Sequence, residues 1–354
     1  MEIAIKREQS QASLGFAERE QFAGAGRKKR YRLLFLLAML VGCSSCNDEW
    51  KDEQYVHYVS FKAPLDDNGV TPIYVRYKPD GEVTYQLPLI VSGSTTNNSN
   101  LTVHVALDPD TLVSLNDERF QSREDLYYQE LESRYFTMSD TVNIRAGENT
   151  SLLDIDFTLG GIDLVDKWVL PLTIVDDPSS NYVANPRKNY RKALLRVMPF
   201  NDYSGTYSGT ALKTYLKGYE NDAAIVESEI PVYVVDENTV FFYAGTVDEE
   251  NTDRRSYKIY ASFDDETKIV TFTAEDPNIE FTVNKTPAFS VEETMDATRP
   301  YLLHRYVTIN NIDYNYTDYT TVPGATIAYT VRGSMILERK INTQIPDEDQ
   351  AIEW

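Results

Sequence analysis

Apolar and polar positions alternate with a period of two along most of the chain. Val83, Tyr85, Leu87 and Leu89 alternate with Thr84, Gln86 and Pro88. Leu101, Val103, Val105 and Leu107 alternate with Thr102, His104 and Ala106, and Leu153, Ile155, Phe157 and Leu159 with Asp154, Asp156 and Thr158. Successive side chains of a strand point to opposite faces, so each run predicts a strand with one face on a core and one in water. Turn-rich stretches at Ser92 to Asn100, Ala146 to Asn149 and Asp176 to Ser180 separate them. Seven or eight such strands between Tyr55 and Met198 predict an antiparallel, immunoglobulin-like β-sandwich over residues 46–198. One segment departs from alternation. Ser122 is followed three residues on by Asp125, a capping-box spacing, and then by Leu126 and Leu131, which predicts a short helix over Ser122 to Arg134.

A second unit opens with the turn residues Asn201-Asp202-Tyr203-Ser204-Gly205. Alternation resumes at Tyr257, Ile259, Ala261 and Phe263, then at Val270, Phe272 and Ala274, with Asp264-Asp265-Glu266-Thr267 as the hairpin loop between them. Ala325, Ile327, Tyr329 and Val331 form a late strand. Eight or nine strands over residues 199–345 predict an antiparallel β-barrel or strongly curved sandwich. The fold class is therefore all-β, with two independent units joined near Met198 to Asn201. The acidic tail, 346–354, is expected to be loose.

Residues 1–45 read as a signal region. Arg27-Lys28-Lys29-Arg30-Tyr31-Arg32 precedes an apolar run from Leu33 to Val41, too short to span a bilayer. The preceding 26 residues make a long n-region and suggest a translation start further along the chain. The run ends at Leu40-Val41-Gly42-Cys43, which resembles a lipobox cut before a lipidated cysteine. Cys43 is the favoured lipidation site, and Cys46, after Ser45, is the alternative. A Cys-x-x-Cys metal or redox motif is the other reading, but no further cysteine or histidine pair completes one.

The chain carries 34 basic and 55 acidic side chains, and the first 45 residues hold 8 and 4 of them. The remainder, 26 against 51, is strongly acidic, which excludes affinity for nucleic acid or for anionic membrane surfaces and suits neutral ligands. With both cysteines near the anchor, no disulfide framework exists, and the core must come from burial alone.

Several segments together resemble a group of Bacteroidetes surface lipoproteins of polysaccharide-utilisation loci. They are Cys46-Asn47-Asp48-Glu49, Leu87-Pro88-Leu89-Ile90-Val91-Ser92-Gly93, Ile144-Arg145-Ala146-Gly147-Glu148 and Val169-Leu170-Pro171-Leu172-Thr173-Ile174. These are similar to an N-terminal β-sandwich domain of unknown function. Tyr203-Ser204-Gly205-Thr206-Tyr207 through Tyr329-Thr330-Val331-Arg332-Gly333-Ser334 resembles the β domain often fused to it. The resemblance implies an outer-membrane, surface-exposed lipoprotein that binds glycan and accompanies an outer-membrane transporter pair. Asp48 and Glu49 resemble the group's signal for display on the outer face.

The same N-terminal domain also occurs fused to family-18 glycoside hydrolases, whose Asp-x-x-Asp-x-Asp-x-Glu motif ends in the general acid. The nearest spacing here, Ser151, Asp154, Asp156 and Thr158, lacks the first Asp and the Glu, so Asp154 and Asp156 read as the wet face of a strand. Gly205-Thr206-Tyr207-Ser208-Gly209 is not Gly-x-Ser-x-Gly and has no following helix. His57, His104 and His304 are unpaired at metal spacing, and Asp264-Asp265-Glu266 lacks the glycine and spaced ligands of a calcium loop. No enzyme, cofactor or metal is expected.

Aromatic residues among carboxylates remain as ligand candidates, since rings stack on the apolar faces of sugars while carboxylates accept from hydroxyls. They are Trp168, and Tyr314, Tyr316 and Tyr319 with Asp313 and Asp318. Ordinary strand composition, with rings covering the core, is the stronger reading of the tyrosines. The expected function is capture of a neutral oligosaccharide or polysaccharide for uptake. The alternative is a non-enzymatic scaffold that packs against a transporter or glycosidase of the same system.

Overall fold

The computed structural model describes residues 53–176 and 178–354. The signal region, Cys43 and Cys46 lie outside the described residues. Among those described, residues 53–56 and 93–96 belong to one compact unit and residues 57–92 and 97–354 to another. The second holds the whole β architecture.

Eleven strands form its first half: β1 (Tyr58–Phe61), β2 (Thr71–Arg76), β3 (Val83–Val91), β4 (Leu101–Leu107), β5 (Tyr128–Glu130), β6 (Phe136–Met138), β7 (Thr141–Ile144), β8 (Thr150–Phe157), β9 (Lys167–Ile174), β10 (Val183–Ala184) and β11 (Lys192–Phe200). One sheet runs β10-β1-β3-β8-β6, the other β2-β11-β9-β4-β7 with β5 added on β9. The alternating residues meet as expected: Leu87 lies opposite Leu153, and both are buried with Val103, Ile155 and Leu172 in one core. The sandwich is not wholly antiparallel, because β1–β10, β2–β11 and β5–β9 pair parallel.

The helix expected over Ser122 to Arg134 is a correction. The α-helix of this region is Pro109–Phe120, started by a proline whose fixed φ suits a first turn. Its buried Asn116 exchanges two 2.9 Å hydrogen bonds with the backbone of Tyr128. Ser122 to Arg134 instead holds a 3-10 turn and β5, whose backbone is claimed by β9.

The second half contributes β12 (Gly205–Ser208), β13 (Lys213–Leu216), β14 (Glu229–Val234), β15 (Thr239–Tyr243), β16 (Lys258–Asp264), β17 (Ile269–Ala274), β18 (Thr282–Val283), β19 (Ala288–Met295), β20 (Leu302–Asp318), β21 (Ile327–Asn342) and β22 (Ile352–Glu353). Eight of them close a ring, β12-β14-β15-β16-β17-β19-β20-β21, sealed where Tyr207 lies opposite Leu337. An eight-stranded barrel is just wide enough for side chains to fill, and tyrosines, phenylalanines and aliphatics fill this one.

A bulge decides which tyrosines point inward. The β20–β21 register shifts between Ile309 and Ile312, with Asn311 at φ 59°. Before it Val307 and Ile309 face the interior; after it Ile312, Tyr314 and Tyr316 do. One extra residue therefore exchanges the two faces of the strand.

The halves are not independent. Val165 packs on Tyr233, Phe241 and Tyr243 of the barrel wall. The buried Arg254 guanidinium donates to the carbonyls of Asp125 and Val165. The tail is also docked: β22 pairs with β21, and Asp349 pairs with Arg76 at 2.7 Å. An acidic stretch expected to be loose is held because Arg76, Arg339 and an aromatic ring receive it.

Candidate functional site

The structure separates the candidate residues. Tyr314 and Tyr316 are 0 and 1% exposed in the barrel core, packed against Phe272, Phe281, Tyr257 and Tyr329. Burial pushes the Tyr314 hydroxyl far above its usual range. Neither ring has a face for a sugar, which corrects their reading as ligand residues. Asp313 is buried outside the ring between Arg332 at 3.3 Å and Lys285 at 3.4 Å, and accepts from Asn284 at 2.9 Å. Asp318 caps the turn after β20, accepting from the N–H groups of Thr320 and Thr321 and from the Tyr257 hydroxyl. The Tyr319 hydroxyl donates to Asp276 at 2.7 Å. Asp313, Asp318 and Tyr319 thus spend their polar atoms inside the fold.

Trp168 is placed differently. Half-buried on β9, its indole N–H donates to the Asp163 carbonyl at 2.8 Å, and its ring lines a cleft of about 380 Å³. The cleft lies between sandwich and barrel. β2 contributes Tyr74, β11 contributes Arg196 to Phe200, β12 and β21 contribute Gly205, Thr206, Leu337 and Arg339, and the tail contributes Ile352 to Trp354. Tyr74 and Trp354 are 37 and 50% exposed.

One wall is a charged network. Glu249 accepts from Arg196 at 3.1 Å, pairs with Lys167 at 3.0 Å, and also accepts from the Tyr233 hydroxyl. Burial works against the Glu249 charge, but Arg196 and Lys167 outweigh it and hold the carboxyl at about 2. Such a group is a fixed acceptor, ill matched to donating a proton near neutrality. Aromatic rings beside fixed charges can orient a polar ligand with apolar faces. Among the described residues, no group of three or more His, Cys, Asp or Glu is placed to hold a metal ion, and no helix is long and apolar enough to cross a membrane.

Sequence reasoning missed Tyr74, Trp354, Arg196 and Glu249. Trp354 was legible as a lone large aromatic in an acidic tail. The others carry no local signal, because three distant segments bring them together.

The chain matches no curated protein. Residues 50–178 match a domain of unknown function, DUF4973, and residues 191–336 match a model for a C-terminal domain. Among solved structures, an auxiliary nutrient binding protein from Bacteroides thetaiotaomicron is 49% identical, with a TM-score of 0.76 over 85% of this chain and 100% of that one. A multidomain protein from Bacteroides ovatus, described as including DUF1735, is 47% identical, with a TM-score of 0.75 over 84% of this chain and 100% of that one. A further Bacteroides ovatus protein of unknown function is 38% identical, with a TM-score of 0.73 over 86% and 97%. At such identity over nearly the whole of each relative, the chain belongs to their family and carries DUF4973 as its N-terminal domain.

Proposed function

We propose that this protein is an accessory binding protein that captures neutral oligosaccharide or polysaccharide in the cleft lined by Tyr74, Trp168 and Trp354. The observation that carries the reading is the convergence of these three rings on one cavity beside fixed polar groups. The nutrient-binding description of the relative at 49% identity supports it. A sugar ring stacked on one aromatic covers ~50 Å² of apolar surface, giving roughly 1 kcal/mol at ~25 cal/mol per Å². Because Tyr74 and Trp354 lie face to face and cover one face of each other, the rings offer one or two such contacts, which with hydrogen bonds imply affinities of order millimolar, adequate where many copies face one polymer.

The test is affinity electrophoresis or calorimetry across a glycan panel with Tyr74→Ala, Trp168→Ala and Trp354→Ala. Binding that weakens several-fold in at least two variants supports the cleft. Binding unchanged in all three places the site elsewhere, and release of reducing ends would mean catalysis.

The proposal includes a lipid anchor at Cys43, or at Cys46, holding the protein at the outer face of the outer membrane beside a transporter pair. Cys43→Ser should release the protein from membranes. Retention of the double variant Cys43→Ser/Cys46→Ser on membranes would end this part of the reading. One observation favours the scaffold alternative: Leu216, Tyr219, Ile225 and Val226 stay exposed on and after β13. Failure of every glycan to bind the folded protein would favour that role.

A further inference from the structure

His304, near the start of β20, has a carboxylate at each ring nitrogen. Nδ1 lies 2.6 Å from Glu338 on β21, and Nε2 lies 3.1 Å from Asp296 in the turn after β19. A neutral imidazole has one N–H, so its other nitrogen would set a lone pair against a carboxylate. Imidazolium donates from both. Neither carboxylate is suited to carry the proton instead. Asp296 accepts from the Thr298 hydroxyl and from the N–H groups of Arg299 and Thr298, which hold it far below the ordinary carboxylate range. His304 itself lowers Glu338, and the Tyr306 hydroxyl, donating at 3.2 Å, adds to the effect. Glu338 first and then Asp296 raise His304 above its ordinary 6.5.

The strand registers place the other charges around the ring. Glu292 on β19, Lys340 on β21, Glu353 on β22 and Arg299 in the turn share its face with Asp296 and Glu338. Carboxylates outnumber cations there, so the surroundings favour the charged ring. Arg305, Glu293 and Arg339 belong to the opposite face of the sheet.

β20 and β21 are paired from end to end and need no clamp. The 296–301 turn meets the sheet more sparsely. The Asp296 N–H donates to the Leu302 carbonyl and the Leu302 N–H to the Arg299 carbonyl, each at 2.9 Å. The Tyr301 carbonyl accepts from the N–H and the hydroxyl of Thr343, each at 2.8 Å. Thr343 opens the segment that ends in β22 and Trp354, which line the cleft.

We propose that protonated His304 is a pH-sensitive clamp that fastens the 296–301 turn, and through it the start of the tail segment at Thr343, to the barrel sheet. When the ring loses a proton, the shorter contact to Glu338 keeps the remaining N–H and Asp296 is left facing a lone pair. The sign follows from the raised histidine: the clamp is complete below its ordinary 6.5 and is lost as pH rises through the higher folded value. The clamp does not depend on what the cleft binds.

The test is an NMR titration of the histidine rings in the full chain, together with amide hydrogen exchange. The His304 resonance, identified by its absence in His304→Gln, should titrate above 6.5. Exchange corrected for its intrinsic pH dependence should quicken at least about fivefold in 296–301 and 343–345 between about pH 6 and about pH 9, and not in β16. His304→Gln, with its fold checked by circular dichroism, should exchange fast in both segments at both pH values. Glu338→Gln should lower the His304 midpoint and carry the exchange transition down with it. A midpoint at or below 6.5, or the same pH response in wild type and His304→Gln, overturns the proposal. If His304→Gln fails to fold, Glu338→Gln decides: an exchange transition that stays put while the midpoint moves overturns it.

Discussion

The Trp354 indole lies face to face on the Tyr74 ring, with centroids 3.9 Å apart and planes 3° from parallel. Phe200 meets the same indole edge-on at 4.8 Å, and the Arg339 guanidinium sits 5.5 Å from its centre. A residue of the tail is thereby built into the sandwich, and the pair forms part of the cleft wall.

Trp354→Ala should therefore destabilise the protein by about 1–2 kcal/mol, from lost apolar contact and the aromatic pair. Urea unfolding measures this directly. The same variant should become more sensitive than the wild type to proteases between Pro346 and Gln350. A tail cut equally fast in both would mean that the stack does not hold it.

Glu249 ties the 244–257 segment to β9 and β11, so its loss strands two cations. Glu249→Ala should cost about 3 kcal/mol, more than an exposed pair, because Lys167 and Arg196 are only 10 and 15% exposed at their side chains. The pH dependence has a definite sign. The folded carboxyl, at about 2, lies below its ordinary 4.5. Its contribution is thus complete above pH ~4.5 and fades as pH falls towards about 2, by up to roughly 3 kcal/mol at 1.36 kcal/mol per unit. Glu249→Gln should flatten the stability profile across that window. An unchanged profile would show that other carboxylates govern acid unfolding.

Gly245 holds φ 57°, and a Cβ there would run into the Tyr316 ring. Gly245→Ala should destabilise the barrel by at least about 1–2 kcal/mol, from the left-handed conformation together with the displaced ring. Gly147, at φ 90° but with nothing near its Cβ position, is the control: Gly147→Ala should carry the conformational cost alone. Equal melting temperatures for the two variants would contradict the clash.

Limited proteolysis should spare Met198 to Asn201. β11 continues to Phe200, and the buried Asn201 accepts from the N–H groups of Tyr203 and Ser204 while donating to the Asp236 carbonyl. Early cleavage there would mean that the Val165 and Arg254 contacts open in solution.

The alternating runs were legible because a half-buried strand writes its burial pattern directly into residue type. Leu87, Leu153 and Val270 could be placed on core faces from spacing alone, and the hairpin at Asp264 to Thr267 from its polar turn. What escaped is non-local or irregular. The bulge at Asn311 exchanges faces midway along β20, so Tyr314 and Tyr316, candidate ligand residues from the sequence, run into the core. The helix at Pro109 has few apolar positions, because its buried contacts run through Leu112, Thr111 and Asn116. Of the candidate site Trp168 was read from the sequence and Trp354 was legible as a lone aromatic, while Tyr74, Arg196 and Glu249 were not, since they come from β2, β11 and the 244–257 segment.

The closure of the barrel sets a clock on folding. β12 and β21 seal the ring through Tyr207 and Leu337, and Arg339 locks it to the Ser204 carbonyl across 135 residues. Contacts this distant in sequence return no free energy until most of the intervening chain is ordered, so sealing comes late and slowly. Until it does, both strands offer unpaired edges to any neighbouring chain, and the finished ring removes them. The molecule's exposure to aggregation is therefore a matter of how long that gap stays open.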